Sequence, residues 1–407
     1  MLTDLLLAAK NVMRHRRRSA FALAAIGFGV AALMLASGFI AWNFQYYREA
    51  MIASQLGHLR VHRAGYTENG VADPYAYLLS DNTPAMAAIA SLRGVRMLSA
   101  RLSLAGLASH GEATLPFIAE GVNPATETQL TRSLTMTAGE ALSADDGAGV
   151  ILGQGLAGNL GVRVGDPLVL LVNTGGGGIN AMDARVRGIF TTISKAYDDT
   201  ALRLPLASAR KLMRVSGAHT WMVWLDDTAA TADRLDDIKR ITAAGSYEVV
   251  PWWQLSDFYN KSADLFAKQV GVMKVIIGLL IVLSISNTMT MGVMERTGEI
   301  GTAMALGDTR ARLLRRFLAE ALVLGTLGAL LGILVGYGLA TIISIIGIPV
   351  PAPPGMGHGY TGRILVTPVI AAGAVLLAVA TTFVAGVYPA WRASRMVIVD
   401  ALRRNRA

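Results

Sequence analysis

The stretch KVIIGLLIVLSISNTMTMGVME (Lys274–Glu295), followed by RTGEIGTAMALGD (Arg296–Asp308) and TRARLLRRFLAEA (Thr309–Ala321), decides the fold. Its first part holds an unbroken uncharged run from Val275 to Met294. At about 1.5 Å of rise per residue that run reaches about 30 Å, one bilayer core, and predicts a transmembrane helix. The middle part mixes charges with apolar residues at Ile300, Ala303, Met304 and Leu306, spaced to fall on one helical face. A helix of about three turns with this charge cannot span, and Gly307 is the residue type that closes a helix in the left-handed conformation. The third part is a basic helix start that runs straight into another long apolar segment. A short surface helix clamped between two membrane helices suits force transfer from a partner; an ordinary connecting loop would share the pattern.

Outward from this stretch the chain divides readily. Residues 1–18 place Leu5, Leu6, Ala9, Val12 and Met13 on one face ahead of Arg14-His15-Arg16-Arg17-Arg18, which reads as an interfacial helix with a basic anchor. Ser19 to Tyr47 is free of charge and long enough to span; a signal peptide cleaved near Ala36 is the rival reading, disfavoured by so long an apolar region. Residues 48–255 alternate aromatic and β-branched with polar residues between recurrent turns, the pattern of a folded α+β domain in water. Strands are expected at Leu59–His62, Pro167–Val172, Ala184–Phe190 and Trp221–Leu225, and a hairpin about the glycine run between Asn173 and Asn180. Residues 256–294 read as a stalk continuing into the second span, 295–316 as the surface-helix loop, 317–347 as the third span, 348–363 as an outer loop, 364–391 as the fourth span and 392–407 as a tail. In the third span Gly328, Gly332 and Gly336 recur every fourth residue, a stripe that lets membrane helices approach closely. The expected class is therefore an α-helical membrane protein with four transmembrane helices and a large α+β extracytoplasmic domain, in two lobes, inserted between helices 1 and 2.

Composition agrees. With 53% hydrophobic and 16% charged residues the chain is too apolar for an ordinary soluble protein, and without cysteine it has no disulfide or thiolate chemistry. The net charge of +9 is not spread over a surface. Residues 1–18 carry five Lys/Arg against Asp4, residues 295–316 five Arg against three acids, and residues 392–407 five Arg against Asp400. Basic segments that flank apolar spans mark the cytoplasmic side, which puts both termini inside and leaves no basic face for nucleic acid.

The run Asn287-Thr288-Met289, then Met294-Glu295-Arg296-Thr297-Gly298-Glu299-Ile300-Gly301 and Ala305-Leu306-Gly307, resembles the signature of FtsX-like permeases, the membrane subunits of type VII ABC transporters such as MacB and the LolC/LolE pair. Gly298 departs from it, because a basic residue is usual there. Residues 149–190 resemble the MacB-type periplasmic domain through Gly153-Gln154-Gly155-Leu156-Ala157, Val164-Gly165-Asp166 and Val186-Arg187-Gly188-Ile189-Phe190. The tail from Tyr388-Pro389-Ala390-Trp391 resembles the family's closing motif, with Ile398 where proline is common. The resemblance implies that Arg296, Glu299, Ile300, Ala303, Met304, Leu306 and Gly307 form a coupling helix docking on an ABC ATPase dimer, with Ile300, Ala303 and Met304 in its groove and Arg296 and Glu299 at the rim. It implies a bacterial inner-membrane permease working beside a second copy or a paralogue, with a periplasmic adaptor or carrier as a further partner. The cargo would be a lipid, lipoprotein or amphiphile; the alternative is an FtsX-like scaffold that activates a cell-wall hydrolase.

No Gly-x-x-x-x-Gly-Lys-Ser/Thr occurs, so energy would come from a separate ATPase, and no enzyme activity or cofactor is expected. His58 and His62 lack a third ligand, and no metal site is expected. Ser284, Ser286 and Asn287 lie within the second span, where they are expected to bond across a permease dimer interface, with ordinary bonding to the preceding turn as the alternative. Glu320, near the inner end of the third span, is either a functional carboxylate or a partner of Arg316 one turn back.

Overall fold

In the computed structural model, residues 14, 16–70, 72–127, 134–143, 145, 147–353 and 355–396 are described. The expected interfacial helix up to Met13 and the closing residues from Val397 lie outside them. The chain forms two compact units, residues 1–44, 262–349 and 361–407 in one and residues 45–261 with 350–360 in the other.

In chain order the elements that matter are α1 (Arg16–Met51), β1 (Leu59–Arg63), α2 (Pro84–Ala90), β2 (Val95–His110), β3 (Ala113–Val122), β4 (Thr135–Gly139), β5 (Gly149–Gly153), α3 (Gln154–Leu160), β6 (Pro167–Asn173), β7 (Ile179–Thr191), β8 (Ala201–Pro205), α4 (Leu206–Met213), β9 (Thr220–Leu225), α5 (Thr231–Thr242), β10 (Tyr247–Pro251), α6 (Asp257–Glu295), α7 (Thr297–Ala305), α8 (Arg310–Ile346) and α9 (Pro368–Ser394). Among the described residues, helices α1, α6, α8 and α9 are the four long and apolar enough to cross a membrane.

The first unit is a helical bundle around Ile26, Val30, Met34, Ile281, Ile285, Phe317, Leu324 and Ala378. Its close contacts depend on missing side chains. A Cβ on Gly328 would lie 2.7 Å from that of Ile26, and one on Gly332 would lie 2.6 Å from that of Val30 and 2.7 Å from the Gly27 carbonyl. The glycine stripe of α8 thus packs on α1 of the same chain, with Gly336 facing Ala31. Small residues serve because lipid offers no hydrophobic drive and packing must hold the helices together.

The second unit has two cores. In one, β10-β1-β9 and the first half of β2 form an antiparallel sheet covered by α2 and α5, closing over Trp221, Val61, Ile89 and Ile238. In the other, β2 pairs with β3, β3 with β8, β8 with β5, β5 with β7, β7 with β6, and β6 again with β2. That path closes into a six-stranded barrel filled by Leu102, Phe117, Leu152, Leu170 and Leu204, with α3 and α4 packed on it. The hairpin expected about the glycine run joins β6 to β7, with Asn173 paired to Ile179. Strand β2 serves both cores: residues 95–101 pair with β9 and residues 102–110 with β3.

Candidate functional site

The short helix α7 follows α6 with only Arg296 between them. Thr297 marks the break, its hydroxyl donating to the carbonyls of Val293 at 3.1 Å and Met294 at 2.8 Å. Gly307, at φ 101°, ends the helix as its position predicts, and Thr309 caps α8 by accepting from the Arg312 backbone N–H at 3.3 Å.

The orientation of α7 differs from the expectation. Ile300 is 5% exposed and belongs to the bundle core, Thr297 and Gly301 are buried beside it, and Met304 packs against the same core. An amphipathic helix turns its apolar face to the nearest apolar surface, and here that surface is the chain's own bundle. Glu299, Thr302, Ala305 and Leu306 are left outward, with Leu306 85% exposed, and Ala303 is half-buried. Glu299 reaches Arg14 at 3.6 Å across an exposed surface.

Arg296 is likewise not at a rim. It is buried, with its guanidinium 3.5 Å from the Glu320 carboxylate. Arg18 of α1 lies 3.9 Å from Glu320 and 3.0 Å from Glu295. A cavity of about 10 Å³ opens among these charges, lined also by Ser19, Thr288 and Phe317. Arg316, the local partner expected for Glu320, instead bonds Asp308 at 2.6 Å. Hydrogen bonds from Arg312 and Arg316 hold the Asp308 carboxyl below the usual carboxylate range. Asn287 is exposed on the chain's own surface, whereas its neighbours Ile285 and Met289 face inward.

A second polar cluster, which sequence reasoning did not find, lies in the other unit. After α1 the chain makes a π-helical turn, Ile52–Leu56, whose carbonyls are held from the sheet. Trp224 Nε1 donates to Ile52 O at 3.2 Å, Arg60 to Gln55 O at 2.6 Å and Leu56 O at 3.0 Å, and Arg203 to Ser54 O. Arg203 bonds Glu127 at 2.7 Å, and Arg101 bonds both Glu120 and Glu127. Three guanidiniums face two carboxylates; the surplus positive charge meets the helix end, where the carbonyls carry partial negative charge. Burial by itself would raise the Glu120 pKa, but Arg101, Arg203 and Arg60 outweigh it and keep the carboxyl below its ordinary value. The detectable signal was a charge between apolar neighbours within a strand, as in Ala100-Arg101-Leu102 and Leu202-Arg203-Leu204.

His58, His62 and His219 are structural in geometry. His58 Nδ1 accepts from the Leu225 backbone N–H at 3.0 Å, so Nε2 donates to Thr228, which donates to Glu49 at 2.7 Å. His62 bonds the His219 carbonyl, and His219 accepts from the Ser103 N–H. Burial lowers the pKa of all three to about 4. Among the described residues no group of three or more His, Asp or Glu stands close enough to hold a metal.

Family models match most of the chain: residues 19–241 fit the MacB-like periplasmic core domain and residues 271–398 the FtsX-like permease C-terminal region. The uncharacterized ABC transporter permease YvrN of Bacillus subtilis is 36% identical over 29% of this chain and 26% of its own length, so the chain spans about a quarter of that relative. The lipoprotein-releasing system transmembrane protein LolC of Xylella fastidiosa is 27% identical over 72% of this chain and 74% of its own. Among solved structures, the periplasmic region of MacB from Actinobacillus actinomycetemcomitans matches 52% of this chain and 95% of its own at 13% identity, with a TM-score of 0.36.

Proposed function

Since the chain belongs to the family of the MacB-like periplasmic core domain, joined to an FtsX-like permease region, we propose that it couples ATP binding and hydrolysis by an ABC ATPase dimer to movement of its outer domain. It is an ABC transporter permease of the MacB, LolC and FtsX type, a membrane protein with an extracytoplasmic domain. The observation that carries the coupling role is α7 itself: a short helix set between two spans, seated on the bundle and offering a small outward face.

In this reading α7 lies on the cytoplasmic side with both termini, and Glu299, Thr302, Ala303 and Leu306 meet the ATPase while Ile300, Met304 and Arg296 fix the helix to the bundle. The domain of residues 45–261 then stands in the periplasm. Asn287, polar and exposed in mid-span, contacts a second permease copy or a paralogue, since a polar amide in hydrocarbon seeks a partner. The cargo is a lipid, lipoprotein or other amphiphile, because spans with so few buried charges provide no polar channel. A scaffold that activates a cell-wall hydrolase uses the same lever, and a hydrolase retained by the outer domain on co-purification would favour it.

The coupling role is tested at Leu306. Leu306→Asp would bury an unpaired carboxylate at the contact, costing several kcal/mol, while leaving an exposed position of the bundle fold undisturbed. Pull-down of the ATPase in nanodiscs should fall about 100-fold or more, as a loss of that size requires. Undiminished association and permease-stimulated ATP turnover would reject α7 as the docking element.

A further inference from the structure

Glu320 is 7% exposed in α8, within the bundle core, and a carboxylate placed so deep needs compensating charge. It does not find this locally: Arg316, four residues earlier, is occupied by Asp308. Its partners come from two other elements, Arg296 at the break before α7 and Arg18 near the start of α1. Glu295, the last residue of α6, completes the group by its contact with Arg18. Two positive and two negative side chains thus join α1, α6, the start of α7 and α8 in one charge-neutral set.

The backbone is arranged for this. Gly292 lies beneath the Arg18 guanidinium, where a Cβ would come within 2.5 Å of Nη1. Any larger residue there would meet the guanidinium and oblige it to shift. The Arg18 contact with Glu295 is tight, whereas those of Glu320, at 3.5 and 3.9 Å, hold by charge over a distance that a small displacement can lengthen.

We propose that Glu320 is the positioning residue that fastens the start of α7 to α1, so that a displacement of α7 passes into α1 instead of being absorbed by the break at Arg296. This role rests on the reading of α7 as the ATPase-facing helix. Glu320 touches neither cargo nor nucleotide; it fixes the lever to the rod that the lever moves.

The chain has no cysteine, so one introduced cysteine reports alone. Ile300→Cys reports the buried face of α7, Thr302→Cys its exposed face and Ala329→Cys the middle of the bundle. With the full chain in nanodiscs, maleimide labelling of Ile300→Cys should be slow and should accelerate about 100-fold when Glu320→Gln is added, the scale on which losing one partner of a buried pair shifts a local opening. Thr302→Cys should label quickly in both backgrounds, and Ala329→Cys should stay protected in both. Unchanged labelling of Ile300→Cys overturns the proposal. Equal acceleration at Ile300→Cys and Ala329→Cys also overturns it, because Glu320 would then hold the whole bundle and not the lever. In the reconstituted complex, Glu320→Gln should retain ATPase binding but lose permease-dependent stimulation of turnover. Retained stimulation overturns the proposal. Labelling as expected with no ATPase bound to the unmodified chain would reject the coupling reading while leaving the fastening intact.

Discussion

The two units bury charge in different ways. In the outer domain Arg101 and Arg203 are each 1% exposed, and their bonds to Glu120, Glu127 and the Ser54 carbonyl are short and mutually reinforcing. In the bundle the contacts of Glu320 are longer, at 3.5 and 3.9 Å, although Glu320 and Arg296 keep only 9% and 10% of their side-chain surface; Glu295 keeps 45%. A desolvated ion pair such as Arg296 with Glu320 is costly to break, whereas a half-solvated contact such as Arg18 with Glu295 separates at little cost. The outer cluster is a fixed fitting around the end of the first helix; in the inner one only the contact of Arg18 with Glu295 can part at little cost.

The largest expected effect is on the outer domain in acid. His58, His62 and His219 have folded pKa values of about 4, below the unfolded value of 6.5. The unfolded chain therefore binds more protons between those limits, and stability rises with pH across them. It is complete above about pH 6.5 and is lost as pH falls toward 4, by about 2 kcal/mol per histidine at pH 5. Urea titration followed by tryptophan fluorescence at pH 7.5 and pH 5 checks this; equal midpoints would show that the three rings titrate freely.

Next in size is Glu127→Ala, which strips Arg101 and Arg203 of a shared carboxylate and should cost about 3–5 kcal/mol. Thermal unfolding of the full chain reads it, and a loss under about 1 kcal/mol would remove the contrast between the clusters. The smallest effect is expected from Glu295→Gln, about 1 kcal/mol or less in bundle stability, because Glu295 keeps 45% of its side-chain surface. A loss as large as that of Glu127→Ala would make the inner set as rigid as the outer one.

Much of this was legible in the sequence, for reasons of range. The spans and the short helix are patterns within a few turns of chain, and so is the Gly328, Gly332 and Gly336 stripe, although only the structure gives its partner as Ile26, Val30 and Ala31. The ring of strands was not legible: the long hairpin of β2 and β3 and the short strand β8 went unrecognised, and alternation does not state which strand pairs with which. The inward turn of Ile300 was missed because periodicity locates an apolar face without saying what covers it. Arg18 and Glu320 are joined across most of the chain, a distance over which local spacing carries no information.

The closed path β2-β3-β8-β5-β7-β6 bears on how the outer domain would carry load. An open sheet fails at its border, where the outermost strand unzips one hydrogen bond at a time. Within a ring every strand has two neighbours, so no border exists at which unzipping can begin. A pull applied to any one strand would be shared by the ladders on both sides, and the barrel would respond as a solid handle that resists fraying.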